Sequence, residues 1–548
     1  METPLLVDDF LQRAARVYPD KIAIVDGSLR LSYADFERRV NQLSHALTGL
    51  GIGRGDRVCI LSPNSHHFLE SFYGTAQIGV ILVPLNYRLV AEDHRYILDH
   101  AGVKAVLVDD EYTDVVDSIR EHLDAVEHWI VARHAASSAR EADQDDPPDS
   151  EWSAPDGWVD WEELIADLPQ TPPDRPERSE NDVVSINYTS GTTARPKGVM
   201  LTHRNCYINA YSLIAHLRVA HDDVELWTLP MFHCNGWGGV YALTGMGGTH
   251  VVLRTIDGER IFDLIEHEKV TFACMAPTVL RVILDYPDKQ RHAITTRPRF
   301  TLAGAPPPAA YIERVEDELG WEFLQIYGLT ETAPFVTSSQ VDHATQASDY
   351  ARRSRAGVPG IGVDVVLLDD DDNPVPRDGQ TVGEICVCSN VVFKGYWKQP
   401  EETARVVRDG YFHTGDLAVW DAGYNVHVVD RKKDVVISGG ENVSSPEVED
   451  VLYQHPNVLE CAVIGVPHEK WGETPKALVV LREGAASGNE PDLTTEDELL
   501  EFARERLAHF KCPTSVEFVE ALPRTATGKL QKYRLREAYW KGHDRRVS

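Results

Sequence analysis

The sequence predicts an α/β fold: a large N-terminal domain of layered α/β subdomains plus a small antiparallel barrel-like part, hinged to a small α+β C-terminal domain. Three observations carry this. The 548 residues exceed what one ordinary core accommodates, so two or more domains are expected. Helical and strand patterns alternate through roughly the first 400 residues, which favours parallel strands buried between helices. Beyond residue 363 the pattern changes to strands joined by polar turns, and beyond 430 a separate set of helices and strands begins.

The elements follow in order. Tyr33 to Leu50 sets Phe36, Val40, Leu43 and Leu47 on one side of an amphipathic helix. Asp56 to Leu61 reads as a strand, His66 to Gly79 as a helix and Val80 to Val83 as the next strand. Residues 105–109 and 129–132 have the same strand character. From Arg133 to Asn181 the texture turns to Ala, Ser, Asp, Glu and Pro, which predicts a solvated, partly disordered connection with a short helix at Trp158 to Leu168. Val363 to Leu368 and Gly383 to Val387 flank four aspartates, as antiparallel strands flank a turn. That run lacks EF-hand spacing and its closing glutamate, so a solvated turn is expected. After the strand Tyr424 to Val429 comes the basic turn Asp430-Arg431-Lys432-Lys433-Asp434. The rest of the chain holds helix Pro446 to Gln454, strands Cys461 to Val466 and Lys476 to Leu481, and helix Glu496 to Leu507. That is enough for a small domain, so the expected division is 1–430 and 431–548.

Formal net charge is −32, from 54 basic and 86 acidic residues. Such a field repels nucleic acid and anionic lipid, and an anionic nucleotide too unless basic groups are focused at its site. Acid-rich, lysine-poor composition fits a salty cytoplasm, where screening relieves self-repulsion; GC-rich codon usage accounts for the many arginines equally well. No run reaches the ~20 apolar residues that span a bilayer, so no integral membrane segment is expected. The acidic N-terminus lacks a secretory pattern, and a cytoplasmic location is expected. The eight cysteines show no CxxC spacing, which indicates neither zinc nor a disulfide framework; buried, inert thiols are expected throughout.

The chemistry concentrates in Tyr188-Thr189-Ser190-Gly191-Thr192-Thr193-Ala194-Arg195-Pro196-Lys197-Gly198, which follows the apolar-alternating run Val183 to Asn187. A strand that empties into small hydroxyl residues offers backbone N–H groups, side-chain donors and one cation to a polyphosphate. It departs from the common nucleoside-triphosphatase loop, because Pro196 stands where that loop needs glycine and Gly198 replaces its Ser/Thr.

Five further segments carry reactive types. Tyr327-Gly328-Leu329-Thr330-Glu331-Thr332 puts an aromatic ring, a hydroxyl and a carboxylate at the end of a strand, suited to a base, a phosphate and Mg²⁺. Asp416, after Tyr411-Phe412-His413-Thr414-Gly415, could accept from two ribose hydroxyls. Arg431 to Asp434, then Ser438-Gly439-Gly440, suits a moving joint whose backbone approaches a ligand. Lys529 closes the loop Pro523-Arg524-Thr525-Ala526-Thr527-Gly528. Met231-Phe232-His233-Cys234-Asn235-Gly236-Trp237 suggests a pocket wall, with Phe232, His233 and Trp237 beside an apolar ligand.

Together and in this order, these segments resemble the adenylate-forming superfamily of acyl-CoA synthetases, luciferases and peptide-synthetase adenylation domains, from Leu31 to Lys529. The version with Met231 to Trp237 is most similar to fatty-acyl-CoA synthetases and related acyl-activating enzymes. One departure is Ala194, where many members have glycine. The resemblance implies an ATP-dependent acid–thiol ligase working through an acyl-adenylate, with ATP, Mg²⁺ and CoA. By the same resemblance, Thr189, Ser190, Gly191, Thr192, Thr193 and Lys197 cradle the β- and γ-phosphates, and Glu331 with Thr189 holds Mg²⁺. Gly304, Ala305, Pro306, Gln325, Tyr327 and Gly328 surround adenine, Thr330 reaches the α-phosphate, and Asp416 and Arg431 take the ribose. Lys529 bridges the acid and the α-phosphate, Lys433 is the pivot, and Ser438, Gly439 and Gly440 serve the thioester step. His233, Cys234, Asn235 and Trp237 line the acid. With no aspartate near Phe232 to pair an α-ammonium, a plain carboxylic acid is implied. A medium- or long-chain fatty acid is the first expectation; short-chain, methylthioalkanoate and aryl acids, or a carrier-protein acceptor, are the alternatives. A homodimer stays open.

Overall fold

The computed structural model describes residues 2–133, 152–189, 195–304, 307, 309–339, 349–432, 434–438, 441–468, 470–482, 485, 494–524 and 530–541. Among them the chain forms four sheets. One runs, in spatial order, Gly395–Tyr396, Lys197–Thr202, Val183–Thr189, Ile81–Leu85, Arg57–Leu61, Ala105–Asp109, His128–Ala132 and Val159–Asp160. Its four central strands, Ile81–Leu85 to His128–Ala132, are parallel and nearly all buried, which is why they read as continuous Val/Ile/Leu runs. A nine-stranded sheet is parallel from Glu322–Gly328 through Arg299–Leu302, Phe272–Met275, Val224–Trp227 and Thr249–Val252 to Ile22–Asp26.

Helices pack on these sheets where the sequence caps and patterns them. Tyr33–Gly49 starts at a capping box between Ser32 and Asp35 and buries Phe36, Val40, Leu43 and Leu47. His66–Ala76 starts at Ser65 and ends short of the expected Gly79, which sits at φ 73°. The short helix in the acidic connection spans Trp161–Ala166 and is preceded by the strand Val159–Asp160, so this stretch is more ordered than its composition predicts. Trp161 and Ile165 supply the reason: both are buried in the main core.

The third sheet is antiparallel. Val363–Leu368 pairs with Gly383–Ser389, which pairs with Tyr411–Trp420, and this last strand also pairs with Val426–Arg431. The aspartate turn is exposed, as expected, with Asp369 Oδ1 accepting from the backbone N–H groups of Asp371 and Asn373. One cysteine departs from expectation: Cys388 is exposed. Ile385 and Val387 face that sheet's core, so Cys386 and Cys388 point the other way, and His413 accompanies only Cys386.

The fourth sheet, with Val458–His468 and Gly472–Leu481 as its long strands, packs under helices Ser445–Tyr453 and Glu496–Arg504 around its own core. Among the described residues no helix is long and apolar enough to cross a membrane.

Candidate active site

The hairpin Val183–Thr189 and Lys197–Thr202 sets Thr189 and Lys197 directly opposite each other. The hydroxyl-rich string therefore joins two ends fixed one rung apart. Ser190, Gly191, Thr192 and Thr193 lie outside the described residues. Lys197 is already paired: its ammonium bonds the Glu402 carboxylate and stands 5.1 Å from the ring centre of Tyr396. Arg405 first, then Lys197, hold the Glu402 carboxyl down to about 2. Tyr396 links this cation to Glu331, donating its hydroxyl to Oε1 at 2.9 Å. The Glu331 backbone carbonyl accepts from Phe393 N–H at 2.8 Å, which fixes the turn Thr330–Thr332. Burial pushes the Glu331 carboxyl above the usual range despite Tyr396, Arg431 and Lys197.

Gly328 ends its strand where the chain folds back. A Cβ there would stand 1.5 Å from the Pro334 carbonyl oxygen, so glycine is a packing requirement of this turn. Buried Gln325 donates from Nε2 to the Ile326 carbonyl at 3.1 Å, and its Oε1 has no hydrogen-bond partner. Gly304 follows the neighbouring strand Arg299–Leu302 at φ 93° with open space around it. Ala305 and Pro306 lie outside the described residues.

The third sheet contributes a second paired rung. Asp416 and Arg431 are register partners, with Arg431 Nε 3.4 Å from Asp416 Oδ1. Tyr327 reaches across from the nine-stranded sheet and donates to Asp416 Oδ2 at 2.8 Å. Burial, then the charge of Asp416, pushes the Tyr327 hydroxyl far up, so it stays a donor. Burial opposes the Arg431 cation, but Asp416 and Asp434 outweigh it and the net shift is upward. One residue back, buried Asp430 accepts from Ser445 N–H at 2.9 Å and from the Ser445 hydroxyl, at the start of helix Ser445–Tyr453. Lys532 bonds the same serine and pairs with Glu449 at 2.7 Å. Ser438 lies in the fourth sheet, paired with Glu441 and Gly472, while Lys433, Gly439, Gly440 and Lys529 lie outside the described residues.

The wall from Met231 has an unusual backbone. Cys234, Asn235, Gly236, Trp237 and Gly238 all have φ between 48° and 79°. Left-handed residues are strained when they carry a Cβ, so this turn persists because its surroundings hold it. The holders are two asparagines. Asn187 donates to Asn235 Oδ1 at 3.0 Å, and Asn209 donates to the Trp237 carbonyl at 3.0 Å while accepting from Phe335 N–H at 3.1 Å. Asn235 also donates to Ser185 Oγ at 2.8 Å. Both ends of its amide thus bond the strand Val183–Thr189. The Cys234 thiol is buried, lies 3.9 Å from the Thr330 carbonyl and has its pKa raised by burial, which leaves it inert. Half-buried His233 and buried Trp237 remain on the wall.

Sequence reasoning missed Tyr396, Glu402, Asn187 and Asn209. Tyr396 had a signal, an aromatic cluster around Gly395 within Phe393 to Trp397; Glu402 on helix Pro400–Val406, Asn209 on helix His203–His216 and Asn187 on its strand act on residues elsewhere in the chain and had none. Away from this site, His66, His67 and Glu162 come within metal-ligand spacing, but Asp26 takes His66 Nδ1 at 2.7 Å and Arg39 takes Glu162.

A hairpin ending in Thr189 and Lys197, the buried Glu331 carboxyl and the Tyr327–Asp416–Arg431 cluster together form the candidate site. The AMP-binding enzyme family matches residues 11–397 and the AMP-binding enzyme C-terminal domain matches residues 447–529. The chain is 38% identical over 538 residues to a 4-hydroxybutyrate–CoA ligase of Metallosphaera sedula, covering 97% of this chain and 94% of that one. It is 36% identical over 544 residues to a peroxisomal butyrate–CoA ligase of Arabidopsis thaliana, covering 97% and 93%. The solved structure of an anthranilate CoA ligase in complex with anthranoyl-AMP superposes with a TM-score of 0.86 at 26% identity, covering 98% of both chains. The chain belongs to the AMP-binding enzymes, within their adenylate-forming CoA ligases. It is an AMP-forming acid–thiol ligase whose substrates are ATP, CoA and a small acid.

Proposed function

We propose that this ligase activates a short-chain carboxylic acid. The observation that carries this is the set of relatives named for 4-hydroxybutyrate, butyrate and 2-methylpropanoate, all short-chain acids, each at least 36% identical over 97–98% of this chain. On the chain itself Asn235 is tied back to the strand and buried Trp237 fills the turn. The medium- or long-chain expectation is the rival reading, and aryl acids are the acids named for other relatives.

In the proposed reaction the acid's carboxylate attacks the α-phosphorus of ATP and expels pyrophosphate. The CoA thiol then attacks the acyl carbonyl and releases AMP. The first step gathers negative charge, so preorganised donors and cations carry it. Thr189 to Thr193 and Lys197 hold the β- and γ-phosphates, Lys197 exchanging Glu402 for phosphate. Tyr327, Gln325 with its unpartnered oxygen, and Gly304 to Pro306 surround adenine. Thr330 reaches the α-phosphate, and Asp416 with Arg431 binds the ribose. The desolvated Glu331 carboxyl fits a cation, and Glu331 with Thr189 would hold Mg²⁺, which supplies charge neutralisation at the phosphates. Lys529 bridges acid and α-phosphate, and residues 431–548 turn about Lys433 to bring Ser438 to Gly440 to the thioester step.

Pyrophosphate release and CoA consumption across C2–C18 and aryl acids test this. Maximal kcat/KM at C3–C6, dependent on CoA, is expected. A maximum at C10 or beyond, or at aryl acids, overturns the short-chain reading; adenylation without CoA turnover points to a carrier-protein acceptor.

A further inference from the structure

Helix Pro277–Asp285 follows directly on strand Phe272–Met275 of the nine-stranded sheet. That strand runs parallel to Arg299–Leu302 and Glu322–Gly328, so the helix begins at the edge where Gly304 and Gly328 stand at their strands' ends. Ligands of open α/β sheets bind outside the carboxyl ends of the strands, and the proposed adenine contacts stand at that end. Arg281 is the fifth residue of the helix, so it lies only about 6 Å along the axis from its start. Its guanidinium reaches another sheet: Nη1 donates at 2.8 Å to Oε1 of Glu460, on strand Val458–His468 of the fourth sheet.

Glu460 is shared. Its Oε2 accepts from Arg524 Nη2 at 3.1 Å. Arg524 stands at the base of the loop that Lys529 closes. It forms an antiparallel bridge with Leu530, and Gln531 N–H donates to the Pro523 carbonyl at 2.8 Å, so the two stems of residues 525–529 are tied together. The stems are tied to the sheet as well, since Leu522 and Leu530 pack with Ala462 and Ile464. Strand alternation puts Glu460 on the face of Ala462 and Ile464, which is why its carboxylate meets Arg524. Tyr311, on helix Ala309–Leu319, marks a second approach of the two sheets. Burial pushes its hydroxyl up, against the charges of Arg281 and of Arg482, which follows strand Gly472–Leu481.

We infer that Glu460 is a positioning residue for the first half-reaction, clamping the base of the Lys529 loop to helix Pro277–Asp285 at the nucleotide end of the sheet. This rests on the proposed roles of Lys529 in adenylation and of residues 431–548 as a part that turns. An exposed ion pair alone holds little. The Glu460 side chain is only 15% exposed, and its carboxylate stands between two guanidiniums that would otherwise meet as like charges. With the carboxylate in place the docked arrangement is favoured; without it the same two cations push the parts away from each other. Turning for the thioester step carries Glu460 and Arg524 off Arg281, so the clamp acts on one half-reaction and not on the other.

The test uses the full-length native enzyme, Glu460→Gln, Arg281→Gln, the double variant and Lys529→Ala. The substrate is the acid with the highest kcat/KM in the C2–C18 and aryl series. Pyrophosphate release from acid and ATP is measured in one assay, and thioester formation from the supplied acyl-adenylate and CoA in another. Glu460→Gln is expected to slow pyrophosphate release about 5-fold or more, with thioester formation equal or faster. Arg281→Gln should act in the same direction, and the double variant should be no slower than Glu460→Gln alone, because the two residues work as one unit. Thermal unfolding should hardly move, since the three side chains keep 15–29% exposure. Equal slowing of both half-reactions by Glu460→Gln, or of neither, while Lys529→Ala blocks pyrophosphate release, overturns the clamp alone. Intact pyrophosphate release in Lys529→Ala overturns the reading of Lys529 and the clamp with it.

Discussion

The two sides of the site are built on opposite principles. On the proposed nucleotide side Lys197 pairs with Glu402, Glu331 with Tyr396, and Asp416 with Tyr327 and Arg431, each from another element. On the proposed acyl side the backbone is left-handed for five residues, and the asparagines that hold it are buried. Paired charges are held in place before any ligand arrives, whereas a strained turn is held by the bonds its neighbours make to it.

The largest expected effect breaks the nucleotide side. Lys529→Ala should lower adenylation about 10²–10³-fold, as removal of a preorganised transition-state charge does, while supplied acyl-adenylate is still converted to the thioester. Pyrophosphate release and thioester formation, measured separately, decide it; equal loss of both refutes the assignment. Gly238→Ala attacks the other side through stability. Gly238 has φ 79°, and its added Cβ would meet Asn209 Nδ2 at 2.2 Å. Asn209 cannot yield without losing its bonds to Trp237 and Phe335, so a loss of about 2–4 kcal/mol in urea unfolding is expected.

Acid should weaken the support of both sides. Burial lowers the pKa of His203 to about 4 and of His250 to about 3. The unfolded chain therefore takes up these protons first, so their stabilisation is full above about pH 6.5 and falls as pH drops towards 4. By pH 5 the loss is about 2 kcal/mol for each, read as a lower urea midpoint than at pH 7. The smallest effect sharpens the nucleotide side: Tyr327→Phe removes one hydrogen bond to Asp416, and the KM for ATP should rise about 3–10-fold.

The nucleotide side was also the more legible in sequence. Thr189, Lys197, Tyr327, Glu331, Asp416 and Arg431 stand in short segments at strand ends, and most secondary elements lay within a few residues of their expected bounds. Partners were not legible, because Glu402 and Tyr396 meet Lys197 from some 200 residues away. On the acyl side the segment was legible as a wall but its geometry was not. Cys234 and Trp237 take left-handed backbone against local preference, and bonds from Asn187 and Asn209 help to hold the turn they sit in.

Strand Val426–Arg431 ends with two neighbours of opposite allegiance. The pleat turns Arg431 towards Asp416 and Tyr327 and Asp430 towards Ser445 at the head of the next helix. A pleated strand behaves as a stiff seesaw: displacing one side chain's anchor re-aims the other through a single peptide unit. Arg431 and the capped end of helix Ser445–Tyr453 are thus one residue apart along the strand, so a ligand that favours one arrangement of Arg431 and a motion of that helix would be linked through it.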